Sequence, residues 1–143
     1  MRICGVELTG SEAIICLLSK DGQMFDLPDC RARKFTLPKE HNQEDLQKFQ
    51  FEFGKLMQDY QVDKVAIKER PTKGKFAGSA AGFKMEAAIQ LIADLQVILF
   101  DAAQIKELLK QHPLPIEFAE TGLKQFQQGA FVSAYVAHYF KGA

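Results

Sequence analysis

The chain has 143 residues, 47% of them hydrophobic, and its 18 Lys and Arg balance 18 Asp and Glu to a formal net charge of zero. Such a chain suits a single domain over residues 1–143 with a substantial core, and its composition excludes disorder. A neutral molecule is not an electrostatic nucleic-acid binder as a whole, so any such role must come from a local patch.

No apolar run approaches the ~20 residues of a membrane span. The short apolar N-terminus soon turns polar and lacks the pattern of a secretory signal, so a cytoplasmic protein without a membrane partner is expected. Twelve Phe and no Trp point to a Phe-rich interior. Cys4, Cys16 and Cys30 are odd in number and follow no metal spacing. Two of them fall in apolar runs, where inert buried thiols are common.

In chain order, residues 2–9 and 12–19 are β-rich runs joined at Thr9-Gly10-Ser11, which reads as a hairpin. A third antiparallel strand falls at 23–27 or at 33–37, after the Asp21-Gly22 turn. Asn42 caps a first helix whose opening turn carries Glu44 and Asp45. Leu46, Phe49, Phe53, Leu56, Met57 and Tyr60 recur along it at helical spacing, while Phe51 departs from that stripe. Residues 62–67 read as a buried strand, 71–78 as a loop, and Ser79 as the cap of a second helix. Residues 97–100 give another buried strand, and Asp101 caps a third helix that Pro113 and Pro115 end. Residues 117–126 read as helical, and a last helix runs over about 127–140. A meander followed by alternating strands and helices predicts an α/β fold. Its sheet is mixed and five-stranded, three antiparallel strands then two parallel, with helices on both faces.

Two acids stand at strand ends. Glu7 closes Gly5-Val6-Glu7-Leu8, and Glu69 follows Val65-Ala66-Ile67-Lys68. Acids at two neighbouring strand ends can hold a divalent cation. This order of elements resembles the ribonuclease H-like fold, and the local residues are most similar to its Holliday-junction resolvase (RuvC) branch. Gly5-Val6-Glu7-Leu8-Thr9-Gly10-Ser11 resembles that branch's Gly-apolar-Asp-Pro-Gly-Ser stretch, and Ala66-Ile67-Lys68-Glu69 stands where it has Ala-Ile-Glu. Ser79-Ala80 and Ala102-Ala103-Gln104-Ile105-Lys106 are similar to its next two landmarks. The chain also resembles a small uncharacterised proteobacterial family of this fold.

The resemblance implies a two-metal nuclease, with Mg²⁺ or Mn²⁺ held by acids on the first and fourth strands and on the last helix. Three departures bear on that. Glu7 replaces Asp, moving the carboxylate by about 1.5 Å. Strict alternation puts Lys68 rather than Glu69 at the fourth-strand position, unless the strand end bulges. Gln127, Gln128, Gly129, Ala130 and Phe131 replace the acids of the last helix. The expectation is a degenerate site with Lys68 paired to Glu7 and no resident cofactor. The alternative is a working nuclease using Glu7 and Glu69 as catalytic and metal-binding groups.

Arg70, Lys73, Lys75 and Lys84 join Lys68 in one basic cluster over 68–84. It reads as an edge contacting DNA or RNA phosphates, with Phe76 stacking on a base, or as a solvated loop with Phe76 packed on the next helix. The glycines at 74, 78 and 82 fail the Gly-x4-Gly-Lys-Ser/Thr pattern of a phosphate-binding loop. A surplus of aromatics at 126, 131, 135, 139 and 140 suits a homodimer face. Three functions follow: a nucleic-acid-binding protein with a degenerate acidic site, a metal-dependent nuclease, or a non-catalytic interaction module.

Overall fold

The computed structural model describes residues 1–141. Strand β1 (Arg2–Thr9) and strand β2 (Glu12–Asp21) form an antiparallel hairpin with the turn at Gly10, where φ is +56°. Glycine adopts that left-handed backbone without the clash a Cβ would bring. The sheet has six strands rather than the expected five. Both candidate third strands form, as β3 (Met24–Asp26) and β4 (Lys34–Thr36), and each pairs with β2. They occupy successive stretches of the same β2 edge, with residues 27–32 between them and Arg33 O rejoining the edge by accepting from the Ile15 backbone N–H at 2.9 Å.

Helix α1 (Gln43–Asp59) starts at Asn42, whose side chain and that of Asp45 cap each other's backbone N–H groups. Such reciprocal capping satisfies two donors that a helix start leaves open. Strand β5 (Lys64–Lys68) then runs parallel to β1, and strand β6 (Gln96–Phe100) runs parallel to β5. Between them lies helix α2 (Ala80–Gln90), capped by Ser79. Helix α3 (Ala102–Gln111) follows β6 and is capped by Asp101. The sheet order is β3-β2-β1-β5-β6, with β4 beside β2. Two short 3₁₀ turns, Phe118–Thr121 and Gln125–Gln127, stand where residues 117–126 read as helical. Helix α4 (Gln128–Ala137) closes the described chain.

Alternation along the central strands divides the core into two layers. Cys4, Val6, Ile15, Leu17, Val65 and Ile67 face α1 and α2, where they meet Phe53, Leu56, Met85 and Ile89. Ile3, Cys16, Leu18, Ala66, Ile98 and Phe100 face α3 and α4. Burial pushes the Cys16 thiol up to about 12 and the Cys4 thiol well above its ordinary value, so both stay protonated and unreactive.

Helix α4 lies directly on β1. A Cβ at Gly5 would stand 2.8 Å from the Ala134 backbone nitrogen and would overlap the Ala130 carbonyl oxygen. Only glycine permits this approach. The aromatics that suited a homodimer face are largely spent inside this layer. Phe131 packs on Phe118, Tyr135 on Phe25, and Phe140 edge-on to Phe100. The reason is that α4 is buried over Ala130–Ala137 except at Val132, which turns its own aromatics, Phe131 and Tyr135, into the core. Phe51 is exposed on α1. Among the described residues no helix is long and apolar enough to cross a membrane.

Candidate functional site

Because β1 and β5 are parallel and in register, their last residues meet at one end of the sheet, and Glu7 lies directly beside Lys68. Both point to the α4 side. Lys68 Nζ stands 3.7 Å from Glu7 Oε2, with the side chains 34% and 17% exposed. Such a partly solvated pair contributes about 1 kcal/mol at most. No bulge intervenes at the strand end: the ladder runs through Lys68, and the Glu69 backbone N–H donates to Phe100 O at 2.7 Å. Glu69 therefore falls on the opposite face, beside α2. Its neighbour there is Glu86, whose carboxyl is raised above its usual range by burial and then by the charge of Glu69.

The last helix bears on Glu7 through an absence of side chain. A Cβ at Gly129 would fall within 2.5 Å of Glu7 Oε1 and would also overlap the carboxyl carbon. The longer acid at position 7 thus occupies the volume that a side chain at 129 would need. Gln127, beside it, is buried. Its Nε2 donates to Ile15 O at 3.0 Å, and its Oε1 accepts from the Lys124 backbone N–H at 3.1 Å. This glutamine fixes the start of α4 on β2. Sequence reasoning gave it no structural part, because its partner lies over a hundred residues away. Glu7, Lys68, Ile105, Gln125, Phe126, Gln128, Gly129 and Val132 line an open cleft of about 440 Å³.

A resident divalent cation of the kind the resemblance implies does not fit this cleft. Octahedral Mg²⁺ needs oxygen ligands at about 2.0–2.1 Å, and carboxylates dominate such sets. Here one carboxylate faces an ammonium, and the helix supplies glycine and amides. Among the described residues no group of three or more His, Cys, Asp or Glu side chains is placed to hold a metal ion.

The basic cluster divides by partner. Arg70 acts as a staple within its own loop, its Nη2 donating to Phe76 O at 3.2 Å. Lys84 reaches back to the segment before α1, with Nζ 2.9 Å from His41 Nδ1 and 3.2 Å from His41 O. Lys68 faces Glu7. Lys73 and Lys75 form no ion pair among the described residues and are exposed. Phe76 is 72% exposed rather than packed on α2, and Lys75 Nζ lies 5.9 Å from its ring centre.

The loop that presents them is closed at its neck by Gly78 N–H donating to Pro71 O at 2.9 Å. Ser79 Oγ donates to Gly10 O at 2.5 Å and accepts from Gly82 N–H at 2.9 Å. One serine therefore caps α2 and ties the basic loop to the β1–β2 turn, at the same end of the sheet as the cleft.

A search of curated proteins finds no match. Among solved structures, the Thermus thermophilus RuvC structure superposes with a TM-score of 0.74 at 11% identity, over 97% of this chain and 94% of that one. T. thermophilus RuvC in complex with Holliday junction substrate gives 0.70 at 10% identity, over 97% and 93%. The fold is therefore ribonuclease H-like, with six strands. The chain belongs to the family described as "Protein of unknown function (DUF3010)", whose profile matches residues 1–137.

Proposed function

We propose that this protein binds DNA or RNA through the loop between β5 and α2, and that its acidic cleft does not cleave. The observation that carries the reading is the pairing of Glu7 with Lys68 at adjacent strand ends, with Gly129 opposite. A nuclease of this fold needs clustered carboxylates there, and an ammonium beside the remaining acid repels a cation. The exposed Lys73, Lys75 and Phe76 supply the two elements of strand binding, charge for the phosphates and a ring for a base. The structurally similar T. thermophilus RuvC is known in complex with a Holliday junction substrate, which is consistent with a nucleic-acid ligand for this fold. The reading places the protein in the cytoplasm.

The test is binding of single-stranded and branched DNA and of RNA over a range of salt, for the wild type and a Lys73→Ala/Lys75→Ala variant. The variant should bind more weakly to all sequences, with a salt slope flatter by about one unit per lysine. Equal affinity and slope would defeat the proposal. The same strands with Mg²⁺ or Mn²⁺ should stay intact. Cleavage that disappears on Glu7→Gln would favour a metal-dependent nuclease at the Glu7 cleft instead, without Glu69, which lies on the other face of the sheet.

A further inference from the structure

We propose that the cleft between β1, β5 and α4 receives the hydrogen-bonding edge of an unpaired guanine in a nucleic-acid strand. The proposal rests on the nucleic-acid reading above and assigns that site its ligand. The charges argue first. Glu7 and Lys68 cancel, and their atoms stand 3.7 Å apart. A phosphate drawn to the ammonium would meet the carboxylate at nearly the same distance, so the cleft offers an anion little net attraction. A neutral group with donors next to an acceptor suits the pair better. Apart from their own pairing, neither the Glu7 nor the Lys68 side chain hydrogen-bonds another described residue, so the carboxylate oxygens can accept from a ligand and the ammonium can donate to it.

Hydrogen-bond polarity then selects the base. A carboxylate has two acceptor oxygens side by side and no donor at neutral pH. Guanine alone among the common bases carries two adjacent donors on its pairing edge, N1–H and N2–H, with the acceptor O6 next in line. The donors would meet Glu7, and O6 would meet Lys68, a side chain well matched to that oxygen. Adenine would turn the lone pair of N1 toward the carboxylate, and cytosine would do the same with N3. Uracil and thymine offer one donor between two acceptors.

The walls complete the site. Ile105 and Val132 are apolar, and the Phe126 ring, 43% exposed, stands at the rim where a base can stack. The volume of about 440 Å³ falls in the range of small-ligand clefts. Gly129 matters here as well, because a side chain there would push the carboxylate out of its place beside Lys68.

The experiment measures binding of an oligothymidylate carrying one central guanine. It is compared with the same strand carrying adenine, or hypoxanthine, which lacks the N2 amine. The guanine strand should bind about tenfold more tightly than the adenine strand, with hypoxanthine between them. Glu7→Gln, close in shape to the native residue, should erase that preference, and thermal unfolding verifies that the variant is folded. Four results overturn the proposal. Equal binding of guanine and adenine strands, with the Lys73 and Lys75 dependence intact, removes the guanine site and leaves the nucleic-acid reading standing. A guanine preference that survives Glu7→Gln puts the selectivity elsewhere. Guanosine monophosphate binding as tightly as the strand makes a free nucleotide the ligand. No binding of any strand by wild type removes both readings.

Discussion

The placement of α4 decides whether Gly129 stands against Glu7, and one substitution at two glycines tests it. At Gly5 an added methyl group would meet backbone atoms of Ala130 and Ala134, which cannot rotate aside. Side-chain carbons keep at least 3.0 Å from such atoms, so α4 would have to lift from β1 by on the order of 1 Å. A gap of that size forfeits a quarter to a half of each dispersion contact across it. The helix buries Ala130, Phe131, Ala134, Tyr135, Val136 and Ala137, so the loss is shared by a large surface. With overpacking alone costing about 1–3 kcal/mol, Gly5→Ala should cost about 3 kcal/mol or more. That is a large part of the roughly 5–15 kcal/mol that holds a domain folded. At Gly54, within α1, the same methyl would rest 3.7 and 3.8 Å from Ile92 carbons, an ordinary contact. There the helix gains from losing a glycine, by about 0.5–1 kcal/mol. Urea unfolding should show Gly5→Ala lowering the midpoint by about 1–3 M. Thermal unfolding should show Gly54→Ala raising the Tm by about 2–4 °C. A Gly5→Ala protein with the wild-type midpoint would refute the seating of α4 on β1 and, with it, the geometry of the cleft.

Two further predictions concern pH. Glu86 has a raised folded value, first from burial and then from Glu69. Its protonated form is favoured in the fold, so its contribution is full below the unfolded value near 4.5 and is lost as pH rises through the folded value. Glu86→Gln should therefore stabilise the protein at pH 7 and do little at pH 4; an equal gain at both would show that the charge is not the cause. His138 is held below 6.5 by burial foremost, against the raising effect of its hydrogen bond to Leu18 O, with the N-terminus, Lys20 and Lys64 lowering it further. Its neutral form is favoured, so stability is full above 6.5 and declines as pH falls through the lowered folded value. His138→Gln keeps an N–H donor for Leu18 O and should flatten the fall in Tm between pH 7.5 and 5, while an unchanged fall would assign it to other groups.

Most of the fold was legible because short-range rules govern it. Asn42, Ser79 and Asp101 cap α1, α2 and α3 as their side-chain chemistry dictates, and short β-rich apolar runs became β1, β2, β5 and β6. The third lane was ambiguous for a physical reason. Residues 24–26 and 34–36 are equally able to pair, and only the length of the β2 edge shows that both fit. At the site, alternation favoured Lys68 over Glu69 opposite Glu7, but a bulge before Pro71 would have reversed it. What forbids the bulge is pairing with β6, a strand almost thirty residues further on. Gly129 and Gln127 were illegible as a matter of range. A glycine in a helix reads as a local penalty, and a buried glutamine as an ordinary polar residue, until Glu7 and the Ile15 carbonyl are placed against them.

The replacements at positions 7, 68 and 129 also make sense only together. The longer acid at 7 could not hold its present place against a side chain at 129, and glycine there leaves it room. Glycine at 129 with a shorter acid at 7 would instead leave a void beside the sheet, which costs contacts on every side. An acid at 68 would set two carboxylates abreast on adjacent strands, where like charges destabilise and one must take up a proton. Lysine supplies the positive charge that a cation would otherwise bring. A cleft that had merely lost its use would carry no requirement that its substitutions fit one another in volume and in charge. These do, and the result is a neutral, walled recess rather than a plugged or collapsed one, as the proposed binding without cleavage requires.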